Sequence, residues 1–249
     1  SPVRSCEDVD EAALSYAEVK ALATGNPYIK EKMDLDIQVS KLKLMKANHT
    51  SQKYRLEDNI TQHYPHQIAI FKERIEGFTA DMEKYAKNKP EDKEQFFMQV
   101  GGKPYTDKKE AGTAIIAMCK EIKGINASAD VGEYLGFKLN VIFDSFNNKF
   151  VMNVKGAMSH PMEVGTDPLG NITRINNALE AMLAQLEEAQ TKLSNVEHQL
   201  ETATAEVDKP FQQEAELSEK LERLAELNAL LNMDEKGDDA IGMDDEATE

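Results

Sequence analysis

The chain has 249 residues, with 29 lysines and arginines against 45 aspartates and glutamates, a formal net charge of -16 and no tryptophan. Aromatic residues make up 6% and charged residues 30%, a balance that suits elongated helices better than a compact enzyme with a thick core. No apolar run reaches the ~20 residues of a membrane helix and no signal peptide opens the chain, so a soluble, cytoplasmic protein without membrane contact is expected. Cys6 and Cys119 lie far apart, which leaves no Cys-based zinc site and no disulfide framework. The opening Ser1-Pro2-Val3-Arg4 holds no initiator, so the sequence reads as a piece of a longer polypeptide.

In chain order, the first expected element is an amphipathic helix over residues 7–24, ended by Gly25-Asn26-Pro27. A long helix from about Ile29 to Lys87 follows, roughly 90 Å at 1.5 Å per residue. Its apolar pattern is loose at first, with Leu35, Val39, Leu42, Leu56 and Ile60 on one stripe and Ile37 and Leu44 on another. It then tightens into alternating spacings of three and four: Thr61, Tyr64, Ile68, Phe71, Ile75, Phe78, Met82 and Tyr85. Pro65 interrupts this run.

The period changes after that. Phe96, Met98 and Val100 alternate, Gly101-Gly102 turns with positive φ, and Lys103 to Tyr105 returns as a second strand. A short helix begins near Thr106 or Asp107, runs through Ala114, Ile115, Met118 and Ile122, and stops at Gly124. Leu135, Phe137, Leu139, Val141 and Phe143 put five apolar side chains on one sheet face; Phe150, Met152 and Val154 answer them across a Phe146-Asn147-Asn148 turn. Met162 to Val164 adds a last strand, with His160-Pro161 in the loop before it.

From Ile172 a heptad seam continues through Ile175, Leu179, Met182, Leu186, Ala189, Leu193, Val196, Leu200, Ala203 and Val207. Proline lacks the amide hydrogen and its ring collides with the preceding turn, so Asp208-Lys209-Pro210 is expected to kink or restart the helix. Asp208 is placed to cap the new start, and the seam resumes at Leu217, Leu221 and Leu224.

Two seams, one rising and one returning, give the expected fold class: α+β, a long antiparallel coiled-coil helical hairpin with a small α+β module inserted at its tip. The alternative is pairing of each seam with a second copy. The divisions expected are residues 1–28 for the N-terminal helix and connector, 29–90 for the first arm, 91–170 for the tip module, 171–233 for the second arm and 234–249 for a disordered acidic tail. Residues 172–233 hold twelve acids and five bases and residues 234–249 eight acids and one base, a net -7 each, so the acidity belongs to the C-terminal third.

No catalytic set, cofactor motif or metal site stands out. His63 and His66 have a chelating spacing, but Pro65 disrupts the turn and no acid or Cys adjoins them. Gly101-Gly102-Lys103 lacks the remainder of a phosphate loop and reads as a turn. Asn26-Pro27-Tyr28 reads as a helix stop, since no glycine-rich cofactor motif precedes it. A deep polar pocket around Tyr134, Lys138 and Asp144 would be the mark of an enzyme site in the tip.

One stretch points to a charged partner. Lys41, Lys43, Lys46, Lys53 and Arg55, with His49, lie in fifteen residues that contain no acid. Lys43, Lys46 and Lys53 share one side of a helix at spacings of three and seven, a geometry that follows phosphates along a backbone, while pairing with glutamates of the returning arm is the competing reading. With only Tyr54 available to stack on bases, DNA contact here would be insensitive to sequence.

The run Leu14-Ser15-Tyr16-Ala17-Glu18-Val19-Lys20-Ala21-Leu22-Ala23-Thr24-Gly25-Asn26-Pro27, with Lys41-Leu42-Lys43-Leu44-Met45-Lys46-Ala47-Asn48-His49, resembles a segment of very large bacterial proteins carried by conjugative elements and phages. These join a Swi/Snf-type superfamily 2 helicase to an adenine-specific DNA methyltransferase, and the segment looks like the part just after the helicase core. The resemblance covers residues 7–64 most specifically. It implies a nucleic-acid context and the rest of such a polypeptide as a partner, and it brings none of that family's catalytic residues. The function expected is thus a non-catalytic accessory region that positions the tip on DNA or on a neighbouring domain; a protein interaction scaffold without DNA contact is the alternative.

Overall fold

The computed structural model of the chain describes residues 16–241. Helix α1 spans Tyr16–Ala23, α2 Pro27–Asp58 and α3 Tyr64–Asn88, with a π-helical turn over Asn59–His63 before α3. Strands β1 (Met98–Val100) and β2 (Lys103–Tyr105) precede α4 (Lys108–Glu121). Strands β3 (Ser128–Tyr134), β4 (Phe137–Asp144), β5 (Lys149–Lys155) and β6 (Ser159–Glu163) follow, then α5 (Pro168–Glu180), α6 (Met182–Val207) and α7 (Glu214–Ile241). The protein is therefore α+β, with long helices and one six-stranded sheet. Among the described residues, no helix is long and apolar enough to cross a membrane.

Contacts divide the chain into two compact units, residues 58–204 and residues 1–57 with 205–249. The division cuts through both expected arms instead of falling at their ends, because the sheet draws parts of each arm into its own core. Met82 and Tyr85 of α3, and Ile172, Ile175 and Leu179 of α5 with Met182 of α6, pack in one cluster with Met98, Phe137, Leu139, Val141, Met152 and Val154. A heptad stripe records that a helix face is buried and leaves open what buries it. For Ile172 to Met182 the answer is the core that the sheet shares with α4. Further along α6, Ala189, Val196 and Ala203 stay buried at heptad spacing.

The sheet runs β2-β1-β3-β4-β5-β6, antiparallel throughout. Gly101 and Gly102 make the β1–β2 turn at φ 60° and 77°, as the sequence suggests. Asp107 caps α4 by accepting from the Glu110 backbone N–H; the helix ends at Glu121, ahead of Gly124. Helix α4 sits so close to the start of α5 that a methyl group on Gly112 would lie inside the Pro168 carbonyl. Cys119 of α4 faces the core, where burial pushes its thiol up to about 11. Native protein treated with iodoacetamide should leave the Cys119 peptide unmodified by mass spectrometry, and urea should expose it.

Several expectations need correction. Leu135 stands not on the sheet face but in the two-residue β3–β4 turn, at φ 53° beside Gly136 at φ 83°. Strand β3 escaped the sequence pattern because a bulge at residues 130–132 resets its alternation, so Val131 and Tyr134 both point inward three residues apart. Its Gly132 lies against the Gln99 carbonyl, where no side chain fits. Pro65, whose effect the sequence leaves open, stands at the start of α3 directly after the π-helical turn. The Tyr64 N–H bonds the Asn59 carbonyl five residues back, a wider turn just before the proline whose ring disfavours regular α-helix there. Pro210 does break the chain, between α6 and α7, and α7 starts at Glu214, too late for Asp208 to cap it. The expected tail begins helically: residues 234–241 prolong α7, since propagating a helix costs less than nucleating one. Residues 7–15 of the first expected helix and 242–249 of the tail lie outside the described residues.

Within the smaller unit, Val39 and Leu42 of α2 pack on Leu217 of α7, beside Phe211 and Leu224. Arg223 makes a two-pronged contact with Glu31, Nε to Oε1 at 2.8 Å and Nη2 to Oε2 at 3.1 Å. This hydrogen bonding holds the Glu31 carboxyl below its ordinary range. Lys46 meets Glu214 at 2.8 Å, so α2 and α7 run in opposite directions.

Candidate functional site

Lys41, Lys43, Lys46, Lys53 and Arg55 are all exposed on α2. The helix turns them to different sides. Lys46 is four residues after buried Leu42, and Lys53 one heptad further, so both lie on the stripe that faces α7 and the chain leading into it. Lys46 pairs there with Glu214, and His49 between them meets the Lys209 carbonyl at 3.0 Å and the Phe211 ring. Lys43 flanks this stripe. Lys41 and Arg55, fourteen residues and roughly 21 Å apart, point away from it alongside exposed Ile37 and Leu44. Among the described residues Lys41, Lys43, Lys53 and Arg55 make no ion pair.

In the larger unit, the polar centre is Asp81 of α3. Its carboxylate accepts from the Ala157 and Met158 backbone N–H groups at 2.7 and 2.9 Å and meets His160 Nε2 at 2.7 Å. Phe78 and Phe137 cover the imidazole, whose Nδ1 meets no partner among the described residues. Both side chains are 1% exposed, and no hydroxyl or thiol among the described residues bonds to either. The arrangement is a clasp that fixes α3 to the β5–β6 turn. A methyl on Gly156 would strike Asp81, so the turn is shaped around the carboxylate. His160, expected in a loop, stands instead in β6. The overlooked signal is an acid three residues after Phe78 on the apolar stripe of α3, together with a histidine two residues before inward-facing Met162.

A cleft of about 740 Å³ opens beside β1 and β3 of the same unit. Its walls include Asn88, Glu94, Gln95, Phe97, Gln99 and Glu133. Phe96 and Tyr134 form the floor, ring centroids 5.7 Å apart, and burial pushes the Tyr134 hydroxyl up to about 12 while it donates to Asn176 of α5. Lys138 and Asp144, named with Tyr134 as the mark of an enzyme site, do not line this cleft. Asp144 instead holds the β4–β5 turn, accepting from the Phe146 and Asn147 backbone N–H groups. His63 and His66 are exposed, and among the described residues no group of three or more His, Cys, Asp or Glu could hold a metal ion.

No family model, no curated protein and no solved structure matches the chain.

Proposed function

We propose that the chain is a non-catalytic accessory region of a DNA-translocating or DNA-modifying enzyme, in which α2 contacts the phosphate backbone without reading sequence. The two seams zip beyond the sheet as an antiparallel coiled coil and present the sheet module to DNA or to a neighbouring domain. The observation that carries this reading is the acid-free run of residues 41–55, with Lys41 and Arg55 on the outward side of α2 and, among the described residues, no carboxylate paired with either. Guanidinium and ammonium groups on one side of a helix can contact phosphates in turn, and the counterions released from the duplex supply the driving force. The resemblance over residues 7–64 to the region behind a helicase core supports the same setting. A photo-crosslinking residue placed at Ser51, between the two cations, should yield a covalent adduct with duplex DNA of any sequence. Adducts absent at Ser51 and present from a control site in the sheet module would move the contact off α2.

A protein interaction scaffold is the second reading. The observation in its favour is the acidity of the C-terminal third, which repels phosphate at long range. Partner capture that survives nuclease treatment, together with no duplex binding, would select it.

A further inference from the structure

Strand alternation places Phe97 and Gln99 outward while Phe96, Met98 and Val100 turn into the core. Phe97 is 55% exposed at the wall of the 740 Å³ cleft, a volume within the range of ligand sites. A phenylalanine left half in water beside a formed cavity leaves apolar area that an occupant would cover. The charged groups lining the cavity are Glu94 and Glu133, with the amides of Asn88, Gln95 and Gln99 beside them and no cation among the lining residues. Neither glutamate makes an ion pair among the described residues. Lys138, the register partner of Glu133 on β4, forms no salt bridge with it.

We infer that this cleft seats an extended peptide segment of a partner protein, with a lysine or arginine between Glu94 and Glu133 and an aliphatic side chain on Phe97. Charge selects the occupant: two carboxylates repel phosphate and attract a cation. The three amides offer donors and acceptors for a peptide main chain, and the Phe96–Tyr134 floor accommodates aliphatic groups. The inference gives the protein-interaction reading a location and a ligand chemistry, and it stands whether or not α2 touches DNA.

The test is fluorescence anisotropy of the full chain with the labelled hexapeptide Leu-Arg-Leu-Lys-Leu-Gly, against a control with glutamates in place of the two basic residues, at physiological salt. The basic peptide should bind at least about tenfold more tightly than the control. The double variant Glu94→Gln with Glu133→Gln keeps side-chain shape at exposed positions and should lose about tenfold in affinity. Phe97→Ala should lose severalfold. No binding up to millimolar protein would overturn the inference. So would a double-glutamine variant that binds like the parent, since the peptide would then be held by the acidic C-terminal third.

Discussion

Replacing Asp81 with alanine is expected to destabilise the sheet-bearing unit by about 3–4 kcal/mol, the cost of removing a buried carboxylate from its hydrogen-bonded partners. The carboxylate accepts from two backbone N–H groups of the β5–β6 turn and meets His160 at full burial, so its loss leaves the buried imidazole Nε2 unpaired and removes the acceptor of both turn amides. Asp81→Asn should be milder, because the amide keeps the volume and one acceptor oxygen, but its NH2 then faces a donor. With two units in the chain, a single unfolding midpoint is a poor reporter. Amide hydrogen exchange of β5 and β6 is the sharper measurement: protection there should fall by two to three orders of magnitude, at roughly 1.4 kcal/mol per decade, while α2 keeps its own rates. Unchanged protection in β5 and β6 would show that the clasp carries no weight.

Reversing the charge of both Lys41 and Arg55 should weaken duplex binding by at least tenfold at low salt, since two attractive contacts become repulsive. The same reversal at Lys46 should do less. Lys46 already lies 2.8 Å from Glu214, and breaking an exposed pair of this kind costs about 0–1 kcal/mol. The ranking is what matters: a helix presents its charges by side, and the side decides which of them meet phosphate. Equal losses from single charge reversals at Lys41, Lys43, Lys46, Lys53 and Arg55 would indicate a diffuse charge effect, and the largest loss at Lys46 or Lys53 would place DNA against the α6–α7 junction.

Much of the local structure was legible in the residues because each signal had a local cause. Gly101-Gly102 supplies positive φ where a hairpin needs it, Asp107 supplies the oxygen that an N-terminus lacks, and Pro210 removes the hydrogen that a helix needs. What failed depended on distant parts of the chain. The stripe from Ile172 to Met182 matches a coiled-coil seam residue for residue, yet it enters a core built by the sheet and α4, and spacing alone cannot identify the partner. Strand β3 was hidden by the bulge at Gly132, which breaks the period-two pattern on which detection relies. The charges of residues 41–55 were visible as a group. Which of them face Glu214 or the Lys209 carbonyl depends on residues more than 150 positions away, and only the fold reveals it.

The proposed role requires that the outward cations of α2 engage phosphate. The direct measurement is the affinity of the full chain for a random-sequence duplex over a series of salt concentrations. A line of log Kobs against log salt with slope of about -2 to -4, steeper than that of the Lys41→Glu, Arg55→Glu variant by about two, is the predicted result for two to four neutralised phosphates. No binding at low salt, or a slope unchanged by the double reversal, would contradict it.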